Sequence, residues 1–309
     1  MAFPPAQGER LPWEAVPEEV RRTIEQRLGS SVATATTQPG GFSPGAAARL
    51  ELADGRRFFA KAVGSAPNPD SPGFHRREAR FAAALPPTTP APEFLFAVEH
   101  GEWVALVFED VDGHEPRLPW REDELDRVLD AFTDLSRALT PAPIEAPPVA
   151  AALDDLFNGW RTLESPVDDW ASAHLEDLCT LEADWAEAAA GETLLHCDVR
   201  ADNILLTPDR VVFVDWPHAC IGAAWIDLLA FLPSVAMQGG PPPWQVFESH
   251  PVGRGVLPER LQPVVAALAG FFLQRSTLPP QPGLSTLRDF QRGQGVQALA
   301  WLRRSLGES

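Results

Sequence analysis

Apolar and polar positions change period partway along the chain. "VPEEVRRTIEQRLGSS" carries helix punctuation: a proline near its start, acids in the first turn and a glycine after the last apolar position. "SVATATTQ" then alternates as a strand does and runs into "PGGFSPG". "AAARLELADGRRFFAKAV" holds two strand-like runs separated by Asp54-Gly55, a strong hairpin signal. "GFHRREARFAAAL" has helical spacing, with Phe74, Ala79, Phe81, Ala82 and Leu85 as its expected apolar face. The segment "PPTTPAP" breaks any regular element, and "EFLFAVEHGEWVALVFED" predicts a second hairpin turning at His100-Gly101.

Beyond Gly113 the period becomes helical. "REDELDRVLDAFTDLSRAL", "AALDDLFNGWRTL" and "WASAHLEDLCTLEADWAEAAAG" predict helices around a proline-rich joint, "PAPIEAPP". "LLHCDVRADNILL" and the short strand "RVVFVDWPHA" interrupt them, and "LPERLQPVVAALAGFFLQR" and "LRDFQRGQGVQALAWLRRSL" resume the helical pattern. The expected class is α+β in two lobes. Residues 1–110 form a small antiparallel sheet with one key helix, and residues 111–309 a larger, mainly helical lobe with an insert at about 121–190.

Composition narrows the functional classes. At 309 residues and 45% hydrophobic the chain can bury a substantial core. Cys179, Cys197 and Cys220 have no paired metal spacing and no full disulfide set, which fits a reducing, cytoplasmic setting. "MAFPPAQGER" lacks the charged start and apolar run of a signal peptide. The most apolar window is interrupted by Asp227 and Pro233, so no membrane partner is expected. A net charge of −18 argues against nucleic acid and leaves a cationic small molecule open, although such a charge also serves solubility.

The chemistry concentrates in "LLHCDVRADNILL", where polar groups sit between apolar runs and need a binding partner to be favourable there. His196, Asp198 and Asn203 fit H-x-D-x-x-x-x-N, and "VVFVD" presents Asp215 at the end of the next strand. An amide and a carboxylate such as Asn203 and Asp215 suit Mg²⁺, a hard ion that prefers oxygen and commonly bridges to substrate phosphates. Asp198 would then be free to face a substrate hydroxyl.

"HCDVRADNILL" and "VVFVDW" resemble the catalytic loop and metal-binding strand of the aminoglycoside phosphotransferase family, relatives of choline kinases and more distantly of protein kinases. The resemblance implies a protein-kinase-like fold with Asp198 as catalytic aspartate, Asn203 and Asp215 as Mg²⁺ ligands, and His196 as a structural member of the loop. It makes Asp227, in "WIDLLAFL", a loop-organising residue. It also extends to the first lobe, where a strand lysine held by a helix glutamate aligns nucleotide phosphates. Lys61, the chain's sole lysine, and Glu78 take those positions. "QPGGFSPG" corresponds to the phosphate loop, with Gly41 and Ser43 as its contacts, and a plain turn is the ordinary alternative. "LVFEDVDG" corresponds to the adenine-binding linker, through the backbone of Glu109 and Val111. The glycine loop is not the protein-kinase G-x-G-x-x-G, the lack of a Walker sequence excludes P-loop NTPases, and Gly222-Ala223 stands where the family often has Gly-Asp.

Other residues have ordinary explanations. Arg200 is expected to pair with Asp202 more than to neutralise a transferring phosphoryl group, and Cys197 to be a small buried hydrophobe. His218 is expected to be structural, and Trp160, Trp170 and Trp185 to be mostly core.

The implied activity is Mg²⁺-dependent transfer from ATP or GTP to a hydroxyl of an aminoglycoside or similar natural product, which would inactivate an antibiotic. A choline, sugar or amino-alcohol acceptor, or a nucleotide-binding module without turnover, are the rivals. Between Arg121 and Ala190 stand four arginines against seventeen acids, which points to a cationic acceptor. Glu122, Asp123, Asp126 and Asp130 are expected to face solvent. Asp154, Asp155, Asp168 and Asp169 are the candidates to lean over a cleft.

Overall fold

Two hairpins and a helix packed on each face make the N-terminal sheet. The computed structural model describes residues 10–38, 45–66, 68–164, 168–280 and 284–307. The chain runs through β1 (Arg10–Leu11), α1 (Glu18–Leu28), β2 (Val32–Thr37), β3 (Gly45–Leu52), β4 (Arg57–Val63), α2 (Ser71–Ala82), β5 (Phe94–His100) and β6 (Trp103–Glu109). The strand order is β1-β3-β4-β6-β5, with β2 also on β3. The Asp54-Gly55 and His100-Gly101 turns fall between the paired strands, as the sequence predicts.

The sheet is mostly antiparallel, as expected, and β1 adds a parallel edge to it. β1 runs parallel to β3, in register Arg10 to Gly45. A parallel pair requires a long crossover, and α1 with β2 supplies one between β1 and β3. Gly45 allows this strand start to lie close to β4: a Cβ there would stand 2.5 Å from the Ala62 carbonyl, at a φ of +102°.

The period-2 alternation of β4 sorts its side chains between the two faces. Ala60 and Ala62 join Val20, Ile24 and Leu28 of α1 in one apolar cluster. Phe59 joins Leu106, Phe108 and Ala79 of α2 in the other. Lys61 shares its parity with Phe59, so it emerges on the α2 side. The buried face of α2 differs from its apolar periodicity: His75, Glu78 and Phe81 are buried, and Leu85 lies past the helix end. Its inner face meets Lys61, so two of its buried positions are ionisable.

The C-terminal region is helical, as expected. α3 (Glu122–Ala138) is followed by short helices α4 (Val149–Leu153), α5 (Gly159–Thr162), α6 (Asp169–Ala173), α7 (Leu175–Ala183) and α8 (Trp185–Ala188). Strands β7 (Thr193–Leu195), β8 (Ile204–Leu206), β9 (Val211–Phe213) and β10 (Cys220–Gly222) come next. The chain ends with α9 (Ile226–Met237), α10 (Pro243–Ser249), α11 (Pro258–Ser276) and α12 (Leu287–Ser305). A core of Phe213, Trp216, Phe231 and Trp301 underlies the four short strands. Gly159 and Gly270 let α5 lie directly on α11, since a Cβ on Gly159 would overlap the Gly270 carbonyl at 2.1 Å. Among the described residues, no helix is long and apolar enough to cross a membrane.

Candidate active site

Two antiparallel ladders hold the polar loop. β7 pairs with β10 and β8 with β9, so residues 196–203 span from one ladder to the other. His196 is fully buried. Its Nδ1 accepts from the Asp198 N–H at 3.2 Å, which leaves Nε2–H to donate to the Val214 carbonyl at 2.9 Å. One imidazole thereby ties the Asp198 loop to the strand leading to Asp215. Burial lowers its pKa, which favours the neutral tautomer this bridge requires.

Asp227 organises the same loop from α9. Its carboxylate accepts from the backbone N–H groups of His196 at 2.7 Å and Cys197 at 2.8 Å. Cys197 has φ 62°, and the one other non-glycine residue with positive φ among the described residues is Asp215, at 72°. Each such conformation costs about 1–2 kcal/mol, and both cluster at this site. Burial raises the Asp227 pKa, against the pull of His196 and these two hydrogen bonds.

Asn203 sits at the far end of the loop, buried. Its Nδ2 donates to the Asp198 carbonyl at 2.8 Å and to the Asp198 carboxylate at 3.3 Å. With that nitrogen engaged, the amide oxygen is the group left for the cleft, which Asn203 lines together with Asp215. Their strands are bound side by side, with Val214 N–H donating to the Asn203 carbonyl at 3.0 Å. Two hard oxygen donors on one wall fit a Mg²⁺ ion.

Lys61 crosses to this wall from the sheet. Its ammonium donates to Glu78 Oε1 at 2.6 Å and Asp215 Oδ1 at 2.8 Å. Burial opposes the charged lysine, but Asp215 and then Glu78 outweigh it and raise its pKa. Burial pushes Glu78 up to about 7, with Lys61 pulling it back. Asp215 is held well below the carboxylate range: burial opposes this, and Lys61 overcomes it with help from Arg200. The strand lysine, helix glutamate and strand-end aspartate thus form one connected ion network.

The linker beside β6 is pinned as well. Glu109, Asp110 and Val111 line the cleft. Asp110 is clamped by Arg57 at 2.6 Å and Arg49 at 3.3 Å, and Arg49 also donates to the Val111 carbonyl at 2.9 Å. The Glu109 carboxylate pairs with Arg210 at 3.1 Å, and its N–H donates to the Glu93 carbonyl at 2.9 Å. Gly41 and Ser43 lie outside the described residues.

Arg200 makes the expected pair with Asp202, with Nε at 3.0 Å and Nη2 at 2.9 Å, and it also contacts the Asp198 carboxylate. The Cys197 sulfur lies 2.7 Å from that of Cys220. That contact and burial raise its thiol pKa well above the ordinary value, as suits an inert packing residue. His218 packs against Phe74. Trp160 and Trp185 are core, whereas Trp170 is half-buried, stacked on His174 under Arg303. Asp168 departs from the cleft-leaning expectation: it caps α6 through the Ala171 N–H at 2.8 Å and faces Arg303 at 3.6 Å. Sequence reasoning missed Arg10, His75 and Glu115, all of which line the cleft. His75 lies one helical turn before Glu78, the signal that could have found it.

A buried lysine, its two paired carboxylates and the Asn203 amide thus gather at one cleft. The chain belongs to the phosphotransferase enzyme family, which it matches over residues 38–264. A comparison with curated protein sequences returns no match. Solved structures agree on the fold. An aminoglycoside phosphotransferase, APH(4)-Ia, in a ternary complex with ADP and hygromycin B is 18% identical, with a TM-score of 0.62 over 94% of this chain and 100% of that one. Choline kinase LicA from Streptococcus pneumoniae is 14% identical, with a TM-score of 0.62 over 94% and 98%. Amicoumacin kinase hAmiN, in complex with AMP-PNP, Ca²⁺ and Ami, is 10% identical, with a TM-score of 0.55 over 92% and 95%.

Proposed function

We propose that this chain transfers the γ-phosphoryl group of ATP or GTP to a hydroxyl of a cationic small molecule, with an aminoglycoside or similar hydroxylated natural product as the favoured acceptor. The observation that carries the reading is the Lys61 ammonium bonded at once to Glu78 and Asp215, in the cleft that Asn203 also lines. The sheet and α2 provide the lysine and its glutamate, and the C-terminal region provides Asn203 and Asp215, so a nucleotide fits between them with adenine at the Glu109–Val111 backbone. Lys61, oriented by Glu78, aligns the α- and β-phosphates. Mg²⁺, held by Asn203 and Asp215, would neutralise phosphate charge when bound.

Asp198 orients the acceptor hydroxyl and takes its proton as the oxygen–phosphorus bond forms and the nucleoside diphosphate leaves. His196 and Asp227 hold Asp198 in place through the backbone, and Arg200 fixes its carboxylate from the side. Positioning and charge stabilisation are most of what such transfer needs.

The acid-rich segment between Arg121 and Ala190 supports a cationic acceptor. Phosphorylation of such a compound would inactivate it where it acts as an antibiotic. The likeness to a choline kinase supports a second reading, an amino-alcohol acceptor, on the same charge argument. The test is a phosphoryl-transfer screen over aminoglycosides, other antibiotics, choline and sugars, with ATP and with GTP. A phosphorylated cationic product supports the proposal. Tight nucleotide binding with no phosphorylated acceptor would favour an interaction module instead.

A further inference from the structure

One cation in the cleft comes from outside the region that matches the family. Arg10 lies on β1, ahead of the matched residues 38–264, yet it lines the same cleft as Lys61, Asn203 and Asp215. The parallel register sets Arg10 beside Gly45, at the end of β3 that follows the glycine-rich segment. The next two positions of β3, Ala46 and Ala47, pair with Ala62 and Lys61 of β4. Arg10 therefore stands near the end of β3 that pairs with Lys61, two strands from the lysine.

Its side chain is largely withdrawn from water. Burial lowers its pKa, and the charges that oppose this are Asp215 and Asp202, both on the opposite wall. A guanidinium remains charged at neutral pH under such a shift, and burying it is unfavourable unless anions compensate. Two cations thus line the cleft from the sheet, a compact ammonium from β4 and a planar, many-donor guanidinium from β1.

We propose that Arg10 is a second phosphate-binding residue, closing over the β- and γ-phosphates of the nucleotide from the β1 side while Lys61 holds the α- and β-phosphates from β4. The inference rests on the nucleotide reading of the cleft. It makes β1 a strap that brings a bidentate donor to the phosphates from beside β3.

The experiment measures Kd for adenosine, ADP and ATP with Mg²⁺ on the full chain, on Arg10→Gln and on Arg10→Lys, with thermal melts to confirm folding. Arg10→Gln should weaken ATP binding about tenfold or more, the range expected for a lost charged hydrogen bond, weaken ADP less and leave adenosine unchanged. Arg10→Lys should recover part of the loss. An equal loss for adenosine and ATP would make Arg10 a structural residue and overturn the proposal. Unchanged or tighter ATP binding would also overturn it, the latter marking β1 as an obstruction of the cleft. If the parent chain bound adenosine and ATP no differently, or not at all, the nucleotide reading itself would fall, and this inference with it.

Discussion

The loop region 194–227 and the insert 121–190 are both rich in acids, and they use them in opposite ways. In the loop nearly every charged group has a partner within the protein: Asp198 with Arg200, Asp202 with Arg200, Asp215 with Lys61, Asp227 with two backbone N–H groups. In the insert, Glu122, Asp123, Asp126 and Asp130 face water on α3, as expected. Several partnerships there are local, such as Arg121 with Asp123 and Arg137 with Asp134. Buried charge is tolerated only where it is compensated, so the loop is constrained to one arrangement. Exposed charge is not, so the water-facing acids of α3 are free to vary, whereas Glu124 and Glu182 of the same insert are buried and fixed. The proposed reaction chemistry lies in the first kind of region and the proposed acceptor choice in the second.

The largest effect should come from the loop. Asp198→Asn keeps the shape but removes the base, so turnover should fall by roughly 10² to 10⁴ while nucleotide binding persists. Near-full activity of this variant on its acceptor would break the comparison at its strongest point. Lys61→Ala leaves Glu78 and Asp215 without their shared cation, which should cost about 3–5 kcal/mol of stability and impair transfer. Denaturant unfolding checks this, and adding Glu78→Gln to Lys61→Ala should restore part of the stability. No recovery in the double variant would mean the network is not coupled.

A smaller effect concerns pH. Burial, and then Lys61, pull the pKa of His75 down to about 4. The unfolded chain takes up that proton near pH 6.5, so the folded state is favoured fully above 6.5 and progressively less as pH falls toward 4. Between pH 7 and 4 the parent should lose about 2–3 kcal/mol more than His75→Gln. Equal losses in the two proteins would show that His75 is protonated with little penalty.

The smallest effect belongs to the insert. With a cationic acceptor, kcat/KM should drop only a few-fold as salt rises, because screening shortens surface attraction to about 8–10 Å. A salt-independent kcat/KM would leave the insert's acids as a solubility feature.

The sequence made the loop legible because its chemistry is local: His196, Asp198 and Asn203 lie within one short segment, between apolar runs that become β7 and β8. The Lys61–Glu78 pair was legible because a strand and the following helix had clear periods. Arg10 and His75 were not, since each enters the cleft through a register or a helix face fixed only by the fold. The parallel β1 left no mark in two residues. The role of Asp168 was misread because a residue near a helix end serves equally as a cap or as a cleft carboxylate, and the Ala171 N–H and Arg303 decide between them.

The central claim is that the Asn203–Asp215 wall and Lys61 together form a metal-dependent nucleotide phosphate site. Titrating ATP into the parent chain and Asp215→Ala, each with and without Mg²⁺, tests it most directly. The account predicts that Mg²⁺ tightens ATP binding by the parent and that Asp215→Ala loses most of that gain while keeping its fold. Equal ATP affinity with and without Mg²⁺ in the parent, or an undiminished Mg²⁺ effect in Asp215→Ala, would contradict it.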